Sequence, residues 1–212
     1  GAVVDILTGG GGADTINTGV ANNAGVANDD VQDTVRFIAP TDFGPTGTQA
    51  FDRITYFDAN GTAAQIDRIE FSGALSLLFD DGTLDGNVNF FTGNGVNGGN
   101  TPVDLAVFEA LFLSGANGEG VSSAGTNALD NAGSVAAEFN AEFNLTAASG
   151  EATLLVINDT NANSAALWRW VQSDGDTDNA VDAGELTLIA MINANATVTT
   201  GSIGFAPVAP LL

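Results

Sequence analysis

The chain has 212 residues, of which 26 are acidic and 4 are basic, so its formal net charge is −22. It contains no histidine and no cysteine, which excludes disulfide scaffolds, histidine or cysteine zinc sites and histidine-based catalytic triads. The acid excess disfavours nucleic acid and anionic membranes as partners and favours cations. Hydrophobic residues make up 44%, which indicates a folded protein rather than an acidic tail.

Two features of the whole chain concern its cellular context. No run of 18 apolar residues occurs, so we expect no insertion into a membrane. The chain starts at Gly1 without a recognisable signal peptide. We therefore expect a fragment, a processed form or a protein exported by another route.

The first 20 residues carry a glycine-rich metal-binding pattern. Residues 9–16 read G-G-G-G-A-D-T-I, which fits the nonapeptide G-G-x-G-x-D-x-U of parallel β-rolls, and residues 5–7 repeat its D-x-U half. In that architecture the apolar position points inward, while aspartate and glycine carbonyl oxygens hold Ca²⁺ between turns. The alternative is a glycine-rich turn without a special function. The candidate ligands are Asp5, Gly10, Gly12 and Asp14.

The next segment reads as strands. Residues 33–37 read D-T-V-R-F, off the nine-residue phase, and the stretches 52–58 and 67–73 alternate between polar and apolar residues. The order GGxGxD, D-x-V-x-F, D-R-I-x-x-F-D and I-D-R-I-x-F-S-G resembles the end of the RTX, or hemolysin-type, calcium-binding proteins. More narrowly, it is similar to the serralysin-type C-terminal domain, although Tyr56 and Glu70 stand where that pattern has aspartates.

This resemblance implies secondary calcium candidates in the same segment. They are Asp52, Asp58 and Asp67. The alternative is a plain hairpin with exposed acidic side chains.

The middle of the chain predicts loops and two helices. Residues 80–100 are rich in Gly, Asn and Asp, with a short strand at 88–91. One helix is expected from the Thr101 cap to Gly115, because Leu105, Phe108, Leu111 and Phe112 are spaced as on a helix. A second is expected from Ser134, with Val135, Phe139 and Phe143 inward and Glu138 and Glu142 outward.

The tail contains the most specific motif. Residues 151–157 predict a strand buried on both faces. Residues 174–185 place acidic side chains at positions 1, 3, 5, 9 and 12, which is the ligand order of an EF-hand-type calcium loop, with Val181 as its apolar anchor. The flanks, 167–171 and 186–192, predict strands rather than helices. The alternative is a solvated acidic loop. The candidate ligands are Asp174, Asp176, Asp178, Ala180, Asp182 and Glu185.

Two other features of the tail leave alternatives open. A calcium loop could begin at Asp159, with Asn161 and Asn163 as its next ligands, but Trp170 stands at position 12. The alternative is an Asx-turn cluster. Trp168 and Trp170 suit either an exposed sugar-binding platform or paired core aromatics. The tail also resembles the β segments that close type I-secreted proteins of the same broad family.

These patterns predict a mainly β protein. We expect a short parallel β-roll turn followed by a β-sandwich-like or β-roll domain, with one or two short helices and calcium-binding loops. The expected regions are 1–79, 80–148 and 149–212, or all three as one compact domain.

The function expected is that of a secreted calcium-binding structural or surface protein of the S-layer, adhesin or filament type, without catalysis. It would fold on Ca²⁺ outside the cell and associate with itself or with a cell surface, and the resemblance implies type I secretion. The alternative is the calcium-binding secretion domain of a larger serralysin-like or lipase-like hydrolase.

Overall fold

The fold is mainly β. A computed structural model describes residues 3–19, 31–43, 51–63, 65–72, 75, 79, 89–93, 101–104, 110–114, 128–159, 164–173 and 180–205. In this described part there is one α-helix, α1 (Ala132–Glu142). The strands, in chain order, are β1 (Ile6–Leu7), β2 (Thr15–Asn17), β3 (Thr34–Phe37), β4 (Asp52–Phe57), β5 (Arg68–Phe71), β6 (Phe90–Thr92), β7 (Thr101–Asp104), β8 (Ala110–Leu113), β9 (Phe143–Thr146), β10 (Ala152–Asn158), β11 (Ser164–Val171), β12 (Leu186–Ala194) and β13 (Ile203–Phe205).

Strands β1 to β6 alternate between two sheets. The first sheet has the order β1-β3-β5-β13 and is parallel throughout. The second has the order β2-β4-β12-β11-β10-β8-β6, and β2, β4 and β12 are parallel to one another. Strands β4 and β5 therefore lie in different sheets and do not pair, so the hairpin alternative for residues 52–73 is wrong.

Rows of similar apolar side chains fill the space between the two sheets. Parallel strands pair in register, so equivalent residues of neighbouring strands lie side by side. The apolar residues two positions after Asp14 and Asp52 therefore meet each other, and so do those two positions after Asp33 and Asp67. The buried rows are Ile16, Ile54 and Ile192; Val35, Ile69 and Ile203; and Phe37, Phe71 and Phe205. The ring of Phe71 lies 5.5 Å from that of Phe37 and 5.6 Å from that of Phe205, between centroids.

A second core lies on the other face of the seven-stranded sheet. Helix α1 and the parallel pair β7–β9 contribute to it, together with both tryptophans. Trp168 is 3% exposed and Trp170 is fully buried, and their indole N–H groups donate to Leu129 O (3.0 Å) and Glu185 Oε2 (2.7 Å). The prediction of core aromatics is confirmed, and the exposed sugar platform is wrong.

The helix expected to begin at Thr101 is wrong. Residues Thr101–Asp104 form β7, residues Ala110–Leu113 form β8, and residues 105–109 lie outside the described part. Strand β8 is buried on both faces, since Ala110 and Phe112 join the core between the sheets while Leu111 and Leu113 join the second core. A strand apolar on both faces has no alternation, so its residues can also satisfy a helical spacing.

The second predicted helix is confirmed, but its ends differ. Asn131 is the N-cap, because its side chain accepts a hydrogen bond from Ser134 N (3.0 Å). Phe143 starts β9 instead of ending the helix, and Glu142 is buried instead of outward. The tail strands are confirmed as β10, β11 and β12, and the short strand expected at 88–91 is found as β6. Within the described residues, no helix has the length and apolar character needed to cross a membrane.

The rows between the sheets should carry much of the stability. Ile69 is fully buried and Ile6 is 58% exposed, so Ile69→Ala should lower the free energy of unfolding by about 2–5 kcal/mol. The matched Ile6→Ala change should lower it by about 0.5 kcal/mol or less. Urea unfolding at fixed calcium concentration measures both; equal losses would contradict the described packing.

Candidate metal centre

Aspartates at the starts of the strands form a hydrogen-bonded ladder along the first sheet. Asp33 Oδ1 accepts a hydrogen bond from the backbone N–H of Asp5 (2.8 Å), and Asp67 Oδ1 accepts one from that of Asp33 (2.8 Å). Each carboxylate thus accepts a hydrogen bond from the backbone just before the neighbouring strand of the sheet, at a position where the pairing of the two strands has not yet begun. The D-x-U pattern is therefore a strand-entry motif as well as a candidate metal motif.

The same contact recurs at the entry to the second sheet. Asp52 Oδ1 accepts a hydrogen bond from the backbone N–H of Asp14 (2.9 Å), although 38 residues separate the two. Asp52 is fully buried. Its other oxygen, Oδ2, and Asp14 Oδ2 are both buried and accept no hydrogen bond from the residues that the structure describes. Buried polar atoms without a partner are rare in folded proteins, so this pair is the strongest candidate site in the described residues.

Gly9 shows that the two free oxygens share one space. A Cβ atom built on Gly9 would lie 2.8 Å from Asp52 Oδ2 and 3.1 Å from Asp14 Oδ2. Both oxygens therefore border the gap that the missing side chain leaves. Gly10 and Gly12 have φ angles of 85° and 118°, a region that L side chains rarely adopt. The glycines thus permit both the turn and the close approach.

The electrostatics of this corner are unfavourable for two bare carboxylates. Burial raises the pKa of Asp52 from 3.8 to about 6, although the N–H of Asp14 lowers it; the carboxylates of Asp14 and Asp42 raise it further. Asp42 Oδ2 is itself occupied, because it accepts hydrogen bonds from the N–H groups of Ile38 (2.7 Å) and Ala39 (3.0 Å). A proton or a cation at the Asp14–Asp52 pair would remove the repulsion.

A calcium ion fits the donor chemistry of the Asp14–Asp52 pair. Ca²⁺ prefers carboxylate and carbonyl oxygens and tolerates irregular geometry. Among residues that the structure describes, no group of three or more acidic side chains is arranged to hold a metal ion. A site here would therefore take two anionic oxygens from Asp14 and Asp52 and complete its shell with neutral oxygens. Gly10 and Gly12 lie in the same turn.

Asp67 and Asp58 form a second buried corner, between β4 and β5. Both oxygens of Asp67 accept backbone hydrogen bonds, from Asp33 N (2.8 Å) and Asp58 N (2.8 Å). Burial raises the pKa of Asp67 to about 6, although those two N–H groups lower it. Asp58 Oδ1 accepts from Asn195 Nδ2 (2.8 Å), and its Oδ2 is buried without a hydrogen bond. Since Asp52, Asp58 and Asp67 are all buried, the prediction of exposed acids is wrong.

Tyr56 marks the departure from the serralysin-type pattern. Its φ is 59°, in the left-handed region, which is uncommon for a bulky residue. The pairing of β4 with β12 shifts register at this point, between Ile192 and Ala194. The irregularity lies just before Asp58 and the turn that leads to β5.

The acidic loop of the tail is only partly described. Residues 174–179, with the predicted ligands Asp174, Asp176 and Asp178, lie outside the described part. The loop joins β11 to β12, which are strands as predicted and pair antiparallel. Val181 is buried as the predicted anchor, and the side chain of Asn140 bonds to its N–H (2.8 Å) and its carbonyl (2.9 Å).

Glu185 connects the two ends of this loop. Its Oε1 accepts a hydrogen bond from Ser173 N (2.7 Å), and its Oε2 accepts from Trp170 Nε1 (2.7 Å) and Asp182 N (3.3 Å). Both oxygens that would bind calcium therefore already have protein partners. The side chain of Asp182 is exposed and Ala180 is partly buried.

The third predicted loop is also only partly described. Asn161 and Asn163 lie outside the described residues. Asp159 is buried, and its N–H donates to Ser164 O (2.8 Å).

The structure thus brings together some of the predicted residues. Asp14 meets Asp52, and Asp5 joins a ladder with Asp67 through Asp33. Asp33 and Asp42 were not predicted as site residues. The D-T-V-R-F repeat could have identified Asp33; no repeat marks Asp42.

Comparison with known proteins adds no relative. Neither a protein-family model, nor a curated protein, nor a solved structure matches this chain. The RTX resemblance stays a prediction that rests on the motifs.

The raised pKa of Asp52 predicts a pH dependence in metal-free protein. Its folded-state pKa is about 6 against an ordinary 3.8, so between these values the folded state holds more protons than the unfolded state. The stability that protonated Asp52 contributes is fully present below pH 3.8 and is lost as the pH rises through about 6. At about 1.4 kcal/mol per pKa unit, the loss is about 3 kcal/mol.

Asp52→Asn isolates this effect, because its amide oxygen can still accept the N–H of Asp14. In chelator at pH 7 the variant should be more stable than the wild type. Its advantage should shrink as the pH falls toward 4. Urea unfolding across this pH range measures the difference, and parallel stability curves for the two proteins would contradict the assignment.

Proposed function

We propose that this protein is a secreted, calcium-stabilised structural or surface protein without catalytic activity of its own. The main support is the Asp14–Asp52 pair, whose two buried Oδ2 atoms border one space and have no hydrogen-bond partner in the described part of the chain. Asp14, Asp52 and the carbonyls of the Gly10 and Gly12 turn would hold one Ca²⁺. The ion would neutralise the pair and hold β2 beside β4.

Strands β1 to β5 alternate between two sheets, and each of them is parallel to its neighbours, which supports a β-roll of the RTX type. In a β-roll, successive turns stack, and calcium binds where one turn meets the next. Asp14 belongs to the G-G-x-G-x-D turn, and Asp52 starts the strand that pairs with β2. The second proposed calcium station is the loop 174–185, on the strength of its ligand order and of its buried anchor Val181. Glu185 would bind the ion in addition to, or in exchange for, the N–H groups that its oxygens accept.

Calcium-dependent folding follows from the charge. With a net charge of −22, the metal-free chain repels itself, which weakens the compact state. Extracellular calcium modules bind with dissociation constants of about 0.1–1 mM, so millimolar Ca²⁺ outside a cell suffices. At about 10 times its dissociation constant, an ion that binds only the folded state adds about 1.4 kcal/mol of stability. This would suit export as a loose chain and folding afterwards.

The edge of the first turn supports a role in assembly or attachment. Among the described residues, β1 and β2 each pair with one neighbour only. Val3, Val4 and Ile6 beside them are exposed by 64%, 64% and 58%. Unpaired strand edges with apolar side chains favour association with another chain, as a surface layer, adhesin or filament requires.

Two matched aspartate variants test the calcium site. Asp52→Asn should bind one calcium ion fewer than the wild type, because it removes an anionic ligand without removing the bond to Asp14. Asp67→Asn should bind as many ions as the wild type, because both Asp67 oxygens already accept backbone N–H groups.

Metal analysis after dialysis, with urea unfolding in calcium and in chelator, separates these effects. An unchanged ion count in Asp52→Asn would refute the proposed site. Unchanged stability and unchanged assembly of the wild type in chelator would refute the proposed function as a whole.

Gly9→Ala provides an independent test without a change in charge. Its Cβ would lie within about 3 Å of both free carboxylate oxygens, where the ion is proposed to bind. We expect at least a tenfold loss of calcium affinity. Gly201→Ala is the matched control, because its Cβ would meet only Thr199 Oγ1 at an ordinary 3.6 Å. Equal calcium affinity in the two variants would contradict the site.

A further inference from the structure

The face of the second sheet that points away from the first sheet also carries a polar pocket, which lies apart from the proposed calcium sites. On this face, Asn17 pairs with Thr55, and Asn193 pairs with Ser164, in adjacent strands. A cavity of about 300 Å³ opens beside them. Its lining includes Arg53, Thr55, Ser164, Met191 and Asn193.

Arg53 gives this pocket a cationic group in a chain that has few. The chain holds 4 basic residues. Arg36 forms an ion pair with Glu70, and burial lowers the pKa of Arg169. Arg53 is exposed, pairs with no carboxylate among the described residues, and stacks its guanidinium carbon 4.8 Å from the ring centroid of Phe51. Because Phe51 is buried, this stacking holds the guanidinium in place and leaves its N–H donors available.

The other polar groups of the pocket can both donate and accept hydrogen bonds. Thr55 Oγ1 donates to Ile16 O (3.3 Å), so its oxygen remains an acceptor. The Ser164 hydroxyl and the Asn193 amide make no hydrogen bond to another residue in the described part of the chain. Met191 adds a partly buried apolar surface next to them. The pocket thus presents a guanidinium, two hydroxyls, an amide and an apolar surface to one ligand.

We infer that this pocket binds a hydroxyl-rich ligand that carries a single carboxylate, of the uronic acid class. The guanidinium fork matches a carboxylate in bidentate geometry. Ser164, Thr55 and Asn193 suit ring hydroxyls, and Met191 suits the apolar face of a sugar ring. The cavity lies at the small end of the range for ligand pockets, which fits one or two sugar rings. The net charge of −22 opposes a polyanion, so a single carboxylate is favoured.

Galacturonic acid and galactose provide a matched pair of probes, because they differ in a carboxylate against a hydroxymethyl group. NMR chemical-shift titration of the full chain should show saturable binding of galacturonic acid, with at least tenfold weaker binding of galactose. Arg53→Gln should reduce the affinity for galacturonic acid to that for galactose. Asn193→Ala should weaken binding of both sugars.

Arg36→Gln is the control, since Arg36 lies in the first sheet and pairs with Glu70; it should leave the affinity unchanged. Running each titration with calcium and with chelator separates this site from the calcium site. A retained calcium count in Arg53→Gln, with sugar binding lost, supports this proposal independently of the proposed function. Equal affinity for both sugars, no saturable binding of galacturonic acid, or undiminished binding by Arg53→Gln would overturn it.

Discussion

The two sheets depend on buried carboxylates that serve as backbone acceptors. In Asp52, Oδ1 accepts a hydrogen bond from the backbone of Asp14, while Oδ2 is buried near a second carboxylate and receives no hydrogen bond from any described residue. An ionised group in such a place costs free energy unless it is paired. The structure raises the pKa of Asp52 to about 6. At neutral pH the same contact that joins β2 to β4 therefore favours a cation beside it.

The aspartates and the core are coupled through register. Four of the aspartates, Asp14, Asp33, Asp52 and Asp67, stand two residues before a buried apolar side chain. A slip of one residue would move the whole apolar set to the opposite face, so the carboxylate contacts help to select the pairing that builds the core. Neutralising the carboxylates should then stabilise the whole stack, which is how metal binding becomes folding energy.

Local patterns predicted the strands well, and contacts distant in sequence were harder to foresee. Strand β4, with its alternating polar and apolar residues, and strands β10–β12 were predicted from the sequence. The segment that became β8 was misread, because residues buried on two faces also satisfy a helical spacing. Asp14 was predicted as a ligand from its glycine-rich turn, but its pairing with Asp52, 38 residues away, depends on how the turns stack. Asp42 gave no signal, since its effect on Asp52 exists only in the folded chain.

Anomalous diffraction of crystals grown in calcium and exchanged into a lanthanide tests directly whether the Asp14–Asp52 corner holds a calcium ion, as we propose. We expect an anomalous peak within about 2.3–2.6 Å of both Oδ2 atoms, as for oxygen ligands of calcium, and no such peak in Asp52→Asn. An ordered corner without a peak, in crystals that bind the lanthanide elsewhere, would contradict it.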